Sequence, residues 1–292
     1  LIYTCRLIFF EHLLNVPKKL LLSLALLLPS AAWAADDYAA SPRCFGPNAL
    51  PVPDMLNGTV QKRFYAEVDF DLHKGFYGDL TKTIFVKANI PLFTPRVNLS
   101  LWMPVIEFYK NTPESLQHQQ SLEQKTKGRE FGNVYVSTDI QLLQQRAGWR
   151  PDITLRAALI TASGDSEQYA RYYDAPGYFF DMSIAKSVYF KDDFFKELRF
   201  VVNGGFLCWQ VEKSVQNDAP LYGVKAELDT KVFTTSFAWQ GYSGWIDDGD
   251  KPMVIKADLM LKCKQFRPLI AYQYGLRDYP FHQFRIGLGY MF

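Results

Sequence analysis

Glu67, Asp69 and Asp71 occupy every second position, with Val68 and Phe70 between them. Side chains alternate faces in an extended chain, so the three carboxylates form one column with successive members about 6–7 Å apart. The same alternation puts further charges on the carboxylate side of other segments. Asp139, Asp181, Glu227, Asp229 and Asp258 add negative charge, while Lys87, Arg156, Arg199, Lys225, Lys256, Lys262, Arg267 and Arg285 supply a matching set of cations. Unpaired charges in a dry interior are costly, so such an array calls for water or mutual pairing. Acid–base chemistry has fewer candidates. His73 follows Asp71 on the same face, which gives an acid–base dyad at most, and His282 opens the last segment close to the same edge. No Ser or Cys stands in a nucleophile-and-base pattern with either. Cys44, Cys208 and Cys263 lack metal-ligand spacing, and Asp71/His73 lacks a third ligand, so the sequence implies neither a metal nor a cofactor.

The elements that carry these residues are short and repetitive. Period-two alternation recurs at 64–73, 84–92, 97–105, 134–142, 153–159, 180–184, 198–203, 222–229, 233–239, 253–262, 270–274 and 284–292. Apolar residues such as Val97, Leu99 and Leu101, or Phe180, Met182 and Ile184, line one face. Asn98, Ser100 and Trp102, or Asp181 and Ser183, line the other. Each run approaches ten residues, the length of a tilted membrane strand. Links after odd-numbered strands are mostly long and polar, as at 110–131, 163–177 and 241–252, and those after even-numbered strands are mostly tight, as at 93–96 and 229–231. The first of the long set is short, and the 187–197 link reads as a long exception among the tight ones. Aromatic residues make up 16% of the chain and collect near strand ends, including Phe93, Phe108, Trp149, Tyr189 and Phe266. Rings with a polar handle suit the headgroup level of a membrane, although a soluble sandwich enriched in aromatics would share that feature.

The two ends discriminate. Lys18 and Lys19 precede the apolar run 20–28, and Ala32-Trp33-Ala34 follows as a small-x-small cleavage site. This is the layout of a secretory signal peptide, too short in its apolar part to span a membrane. Lys plus Arg (32) nearly balance Asp plus Glu (30), which excludes the basic surface of a nucleic-acid binder. At the other end Phe284, Ile286, Leu288, Tyr290 and Phe292 form an apolar stripe running to the last residue, where soluble chains usually fray. That stripe resembles the closing strand of a Gram-negative outer-membrane β-barrel, in which a terminal Phe and an aromatic two residues earlier serve as the assembly signal. The resemblance implies those five residues as that signal, with outer-membrane lipid and the barrel-assembly machinery as partners.

The expectation is therefore all-β: a transmembrane antiparallel up-and-down barrel of about twelve strands, within a range of ten to fourteen. Residues 1–34 form the signal peptide, 35–59 a Pro-rich periplasmic segment or plug, and 60–292 the barrel. Its inward face is Glu67, Asp69, Asp71, Lys87, Asp139, Arg156, Asp181, Arg199, Lys225, Glu227, Lys256, Asp258 and Arg285. This face predicts a porin-like, non-enzymatic passive channel for a small polar solute in the outer membrane. The alternatives are an outer-membrane enzyme acting on lipid or protein at the outer rim, and a non-conducting structural or adhesion barrel.

Overall fold

The computed structural model describes residues 41–119, 125–146, 148–165, 171, 176–210 and 217–292. The leader assigned to 1–34, residues 35–40 and parts of the 110–131 and 163–177 links lie outside them. Among the described residues thirteen strands and one short helix follow in chain order: β1 (Tyr65–Gly75), β2 (Leu80–Pro91), β3 (Val97–Lys110), α1 (Pro113–His118), β4 (Lys127–Glu130), β5 (Tyr135–Leu143), β6 (Asp152–Ile160), β7 (Gly177–Tyr189), β8 (Phe195–Trp209), β9 (Asn217–Thr230), β10 (Phe233–Tyr242), β11 (Met253–Leu261), β12 (Phe266–Arg277) and β13 (Phe281–Met291). Consecutive strands pair antiparallel, except that β3 pairs with both β4 and β5. The ring closes where β1 meets β13, from Tyr65 opposite Met291 to Gly75 opposite Phe281. Because β4 adds only four residues beside the end of β3, the closed barrel has twelve strands, as the alternation predicts.

Closure removes every free edge except that of β4, so the backbone polar groups satisfy one another within the wall, the condition for crossing lipid with strands. Side chains are distributed inside out relative to a soluble protein. Val68, Phe70, Leu159, Phe180, Phe200, Val202, Phe237, Ile270 and Ile286 are exposed, whereas Asp71, Thr83, Thr154, Arg156, Asp181 and Ser183 are buried. An exposed apolar belt on this scale exceeds any patch a soluble monomer carries and is a lipid-contact surface. This distribution excludes the soluble sandwich.

Two details depart from simple alternation. Phe85 pairs with Pro104 and Ile84 with Ile106, so an extra residue bulges β3 at Val105. Pro104 has no N–H to donate, which makes it a natural place for the ladder to slip. Beyond the bulge, Glu107 and Tyr109 point inward. The 187–197 link, read as long, is short: β7 runs to Tyr189, which pairs with Glu197. Polar residues near its ends masked the strand pattern, and the ladder absorbed them.

Candidate functional site

The barrel interior has two halves. The strand ends near Tyr65 and Met291 define the terminal end, which faces the periplasm in barrels of this class; the opposite end bears the long loops. In the half nearer the loops, inward rows turn apolar: Arg156 is followed on the same face by Ala158 and Ile160, and Asp181 is preceded by Phe179. These residues pack with Leu207, Trp209, Leu221, Tyr242, Tyr279 and Phe281 around Phe45, Ala49, Leu50 and Val52 from the N-terminal segment. Fully burying side chains such as Phe45, Leu50 and Val52 stabilises by roughly 1.5–3 kcal/mol each, so this seal is substantial.

Residues 41–60 continue down the lumen as a strap, turned over 41–50 and without regular structure beyond. Ser41 donates to the carbonyl of Asp248 (3.2 Å) in the β10–β11 loop, and Nε2 of His118 donates to the carbonyl of Arg43 (2.9 Å) at the loop end. Asn48 donates to Thr83 and Glu107, and Tyr242 donates to the Leu50 carbonyl (3.0 Å). At mid-depth the Asp54 carboxylate meets Nζ of Lys256 on β11 at 2.7 Å, while its carbonyl accepts from Nη2 of Arg156 on β6 at 2.8 Å. Those strands are five steps apart in the ring of twelve, close to opposite walls. One residue thus bridges the barrel. Nearer the terminal end, Asn57 accepts from Lys225 at its side chain and from Nε of Arg199 (2.7 Å) at its carbonyl, and donates to Glu227 (2.7 Å). Gln141 then holds the carbonyl of Gly58 and the N–H of Val60.

Around the strap, the inward charges form separate clusters. Arg285 grips Asp71 with two bonds of 2.6 Å, reaches Asp69 at 3.3 Å and lies over the Phe85 ring. Arg156 pairs with Asp181 at 2.6 Å and also covers Phe179, while Asn203 donates to the second Asp181 oxygen. Arg199 joins Asp152 (2.8 Å) and Glu197 (3.2 Å). Asp139 accepts from Ser100 (2.6 Å) and Ser137 (2.9 Å), Asp258 from Ser236, and Glu67 from Tyr65. Lys87 stands across the ladder from Glu67. Asp71 and Arg285 face each other in register, so the acidic column meets the cation expected beside it.

Several interior groups were invisible to pattern reading. Glu107 lies beyond the β3 bulge, whose only sequence mark is Pro104. Arg171 comes from the β6–β7 loop and is fully buried, bonded to Glu107 at 2.8 Å and to Thr81, with its guanidinium 4.5 Å from the Tyr109 ring centre. No local pattern marks a loop arginine for burial. Asp54 and Asn57 sit among prolines with no periodicity at all. The rim pair of histidines does not assemble: Lys74 rather than His73 is opposite His282. His73 points into the lumen, whereas His282 bonds to Tyr272 and packs on Phe76 and Tyr274.

Twelve antiparallel strands, a lipid-facing belt and a charged interior define a closed β-barrel of the kind that spans the outer membrane. No protein-family model matches the chain, and no curated relative matches it. Solved barrels do. An outer-membrane channel from Pseudomonas putida superposes with a TM-score of 0.53 at 9% identity, covering 84% of this chain and 97% of that one. The NanC porin gives 0.50 at 12% identity, covering 77% and 98%. At these identities the likeness shows the fold.

Proposed function

We propose that the protein is a porin-like passive conduit for small polar solutes across the outer membrane. The observation that carries this reading is the mixed-charge interior at mid-depth, where Lys256, Lys225, Glu227 and Arg199 find part of their bonding in the N-terminal strap and not in the wall. A wall built only to brace itself would satisfy its charges strand to strand. This one keeps polar groups that water or a solute can satisfy once the strap is elsewhere, the kind of charged lining that selects solutes in channels. The names of the two superposable proteins, a channel and a porin, point the same way. In the same reading, residues 1–34 are a cleaved export signal, and Phe284, Ile286, Leu288, Tyr290 and Phe292 address the chain to the barrel-assembly machinery.

Planar-bilayer recording tests it. The full chain and a variant lacking residues 41–58 are each inserted, and discrete conductance steps are expected in at least the shortened barrel. Silence from both, with folding verified, sinks the channel reading. An enzymatic role has weaker support, because the Asp71 carboxylate is committed to Arg285. Release of fatty acid or cleaved peptide by the protein, abolished by His73→Ala, would reverse that ranking.

A further inference from the structure

We infer that residues 41–60 are a displaceable plug that holds the conduit shut in this conformation, with the apolar contacts of Phe45, Leu50 and Val52 as its seal. The inference rests on the channel reading. Three observations carry it. The strap runs the length of the lumen, from Ser41 at the β10–β11 loop to Val60 at Gln141 near the terminal end. It touches the wall on many sides, at Thr83 on β2, Arg156 on β6, Arg199 on β8, Tyr242 on β10 and Lys256 on β11. It also supplies one side of the apolar cluster in the loop-end half, where Phe45 and Leu50 are buried among Trp209, Leu221 and Tyr242 of the wall.

The composition of the strap suits a removable part. It contributes no strand to the wall, so its departure breaks no ladder bond. Pro47, Pro51 and Pro53 cannot donate to a ladder, which keeps the segment from pairing with the barrel as an extra strand. Among its mid-depth contacts the ion pair to Lys256 is open to water on the strap's side: the Asp54 side chain is 49% exposed although paired. Ion pairs in water are weak and exchange readily. The plug is thus held by apolar packing at the loop end and by polar contacts to Arg156, Arg199 and Lys256 below it.

Cys44 is a native reporter, since it neighbours Phe45 within the seal and is buried, while Cys208 is buried in the wall and Cys263 is exposed. The test uses the full chain with Cys5→Ser, Cys208→Ser and Cys263→Ser, with and without Phe45→Ala/Leu50→Ala. Heat-modifiable migration on gels confirms that both barrels are folded. The parent should label slowly at Cys44 with a small maleimide and conduct rarely. The double variant should label at least about tenfold faster and show frequent conductance steps. Continued protection of Cys44 in a folded variant would overturn the plug. So would equal conductance in both proteins with Cys44 freed in the variant alone, since the strap would then obstruct nothing; the channel reading would survive that result. Freed Cys44 with silence in both overturns the plug as a gate and removes the channel reading with it.

Discussion

Arg285 shows how much one interior residue can hold. Its guanidinium answers two carboxylates of the β1 column and caps Phe85, and Asp69 and Asp71 are almost fully buried. Removing one partner of such a pair strands the other charge, a loss of about 3–5 kcal/mol. Arg285→Ala should therefore lower the urea stability of the folded barrel by that order. Arg285→Ala/Asp71→Asn should recover part of it; no recovery would mean that pairing is not what Arg285 supplies. His118 offers a pH test at the loop end, outside the membrane. Burial holds its imidazole below the ordinary histidine range, against a smaller opposing effect of its bond to the Arg43 carbonyl. The unfolded state then binds more protons as pH falls through about 6.5. Stability from this contact is complete above that value and is lost as pH drops toward the depressed folded value. Proteolysis of the loop around His118 should accelerate between pH 7 and pH 5. His118→Gln should flatten that dependence, and an unchanged slope would dismiss the histidine as its source. Asp71 facing Arg285 was legible from alternation together with closure, which sets their two strands side by side. The Asp54–Lys256 pair was not, since residues 202 positions apart meet only through closure and threading.

At the scale of elements, the seam between β1 and β13 decides whether the ring exists. Eleven residue pairs zip it, and the backbone N–H of Phe292 donates to the Phe64 carbonyl while the Phe292 ring packs edge-on against Phe64 and Tyr290. Phe292→Ala should cut the yield of heat-modifiable barrel several-fold with little effect on the stability of the molecules that close. A large stability loss with normal yield would make Phe292 a seam residue and not an assembly signal. The turn between β12 and β13 is equally specific. A Cβ on Gly275 would lie 1.5 Å from the Tyr279 carbonyl oxygen, a backbone atom that cannot swing aside. Gly275→Ala should cost about 1–3 kcal/mol of stability, the usual range for overpacking. A neutral effect in urea unfolding would show that the turn relaxes freely. Strand number was readable from sequence because period two is a local property of each segment. The bulge at Val105 was not, and it is what turns Glu107 inward where strict alternation from Val97 would point it out.

As a whole, the barrel wraps an apolar exterior around an interior that is charged at mid-depth and apolar at the loop end, and its closed wall predicts resistance to detergent at room temperature. Unboiled protein should migrate differently from boiled protein on a gel, and identical migration would contradict a closed barrel. What the sequence by itself determined is the wall. Alternation sets which side chains face lipid and which face inward, and each strand of ten or so residues carries that information without help from its neighbours. Only the tertiary structure decided what fills the wall. Inward rows change from charged to apolar along their length, but the depth at which each change falls depends on register and closure around the ring. The Pro-rich strap has no periodicity of its own, and Arg171 lies in a loop, so their places follow from the cavity that the strands make together. A local pattern can specify a surface; the occupant of an enclosed space is fixed by contacts between residues far apart in the chain.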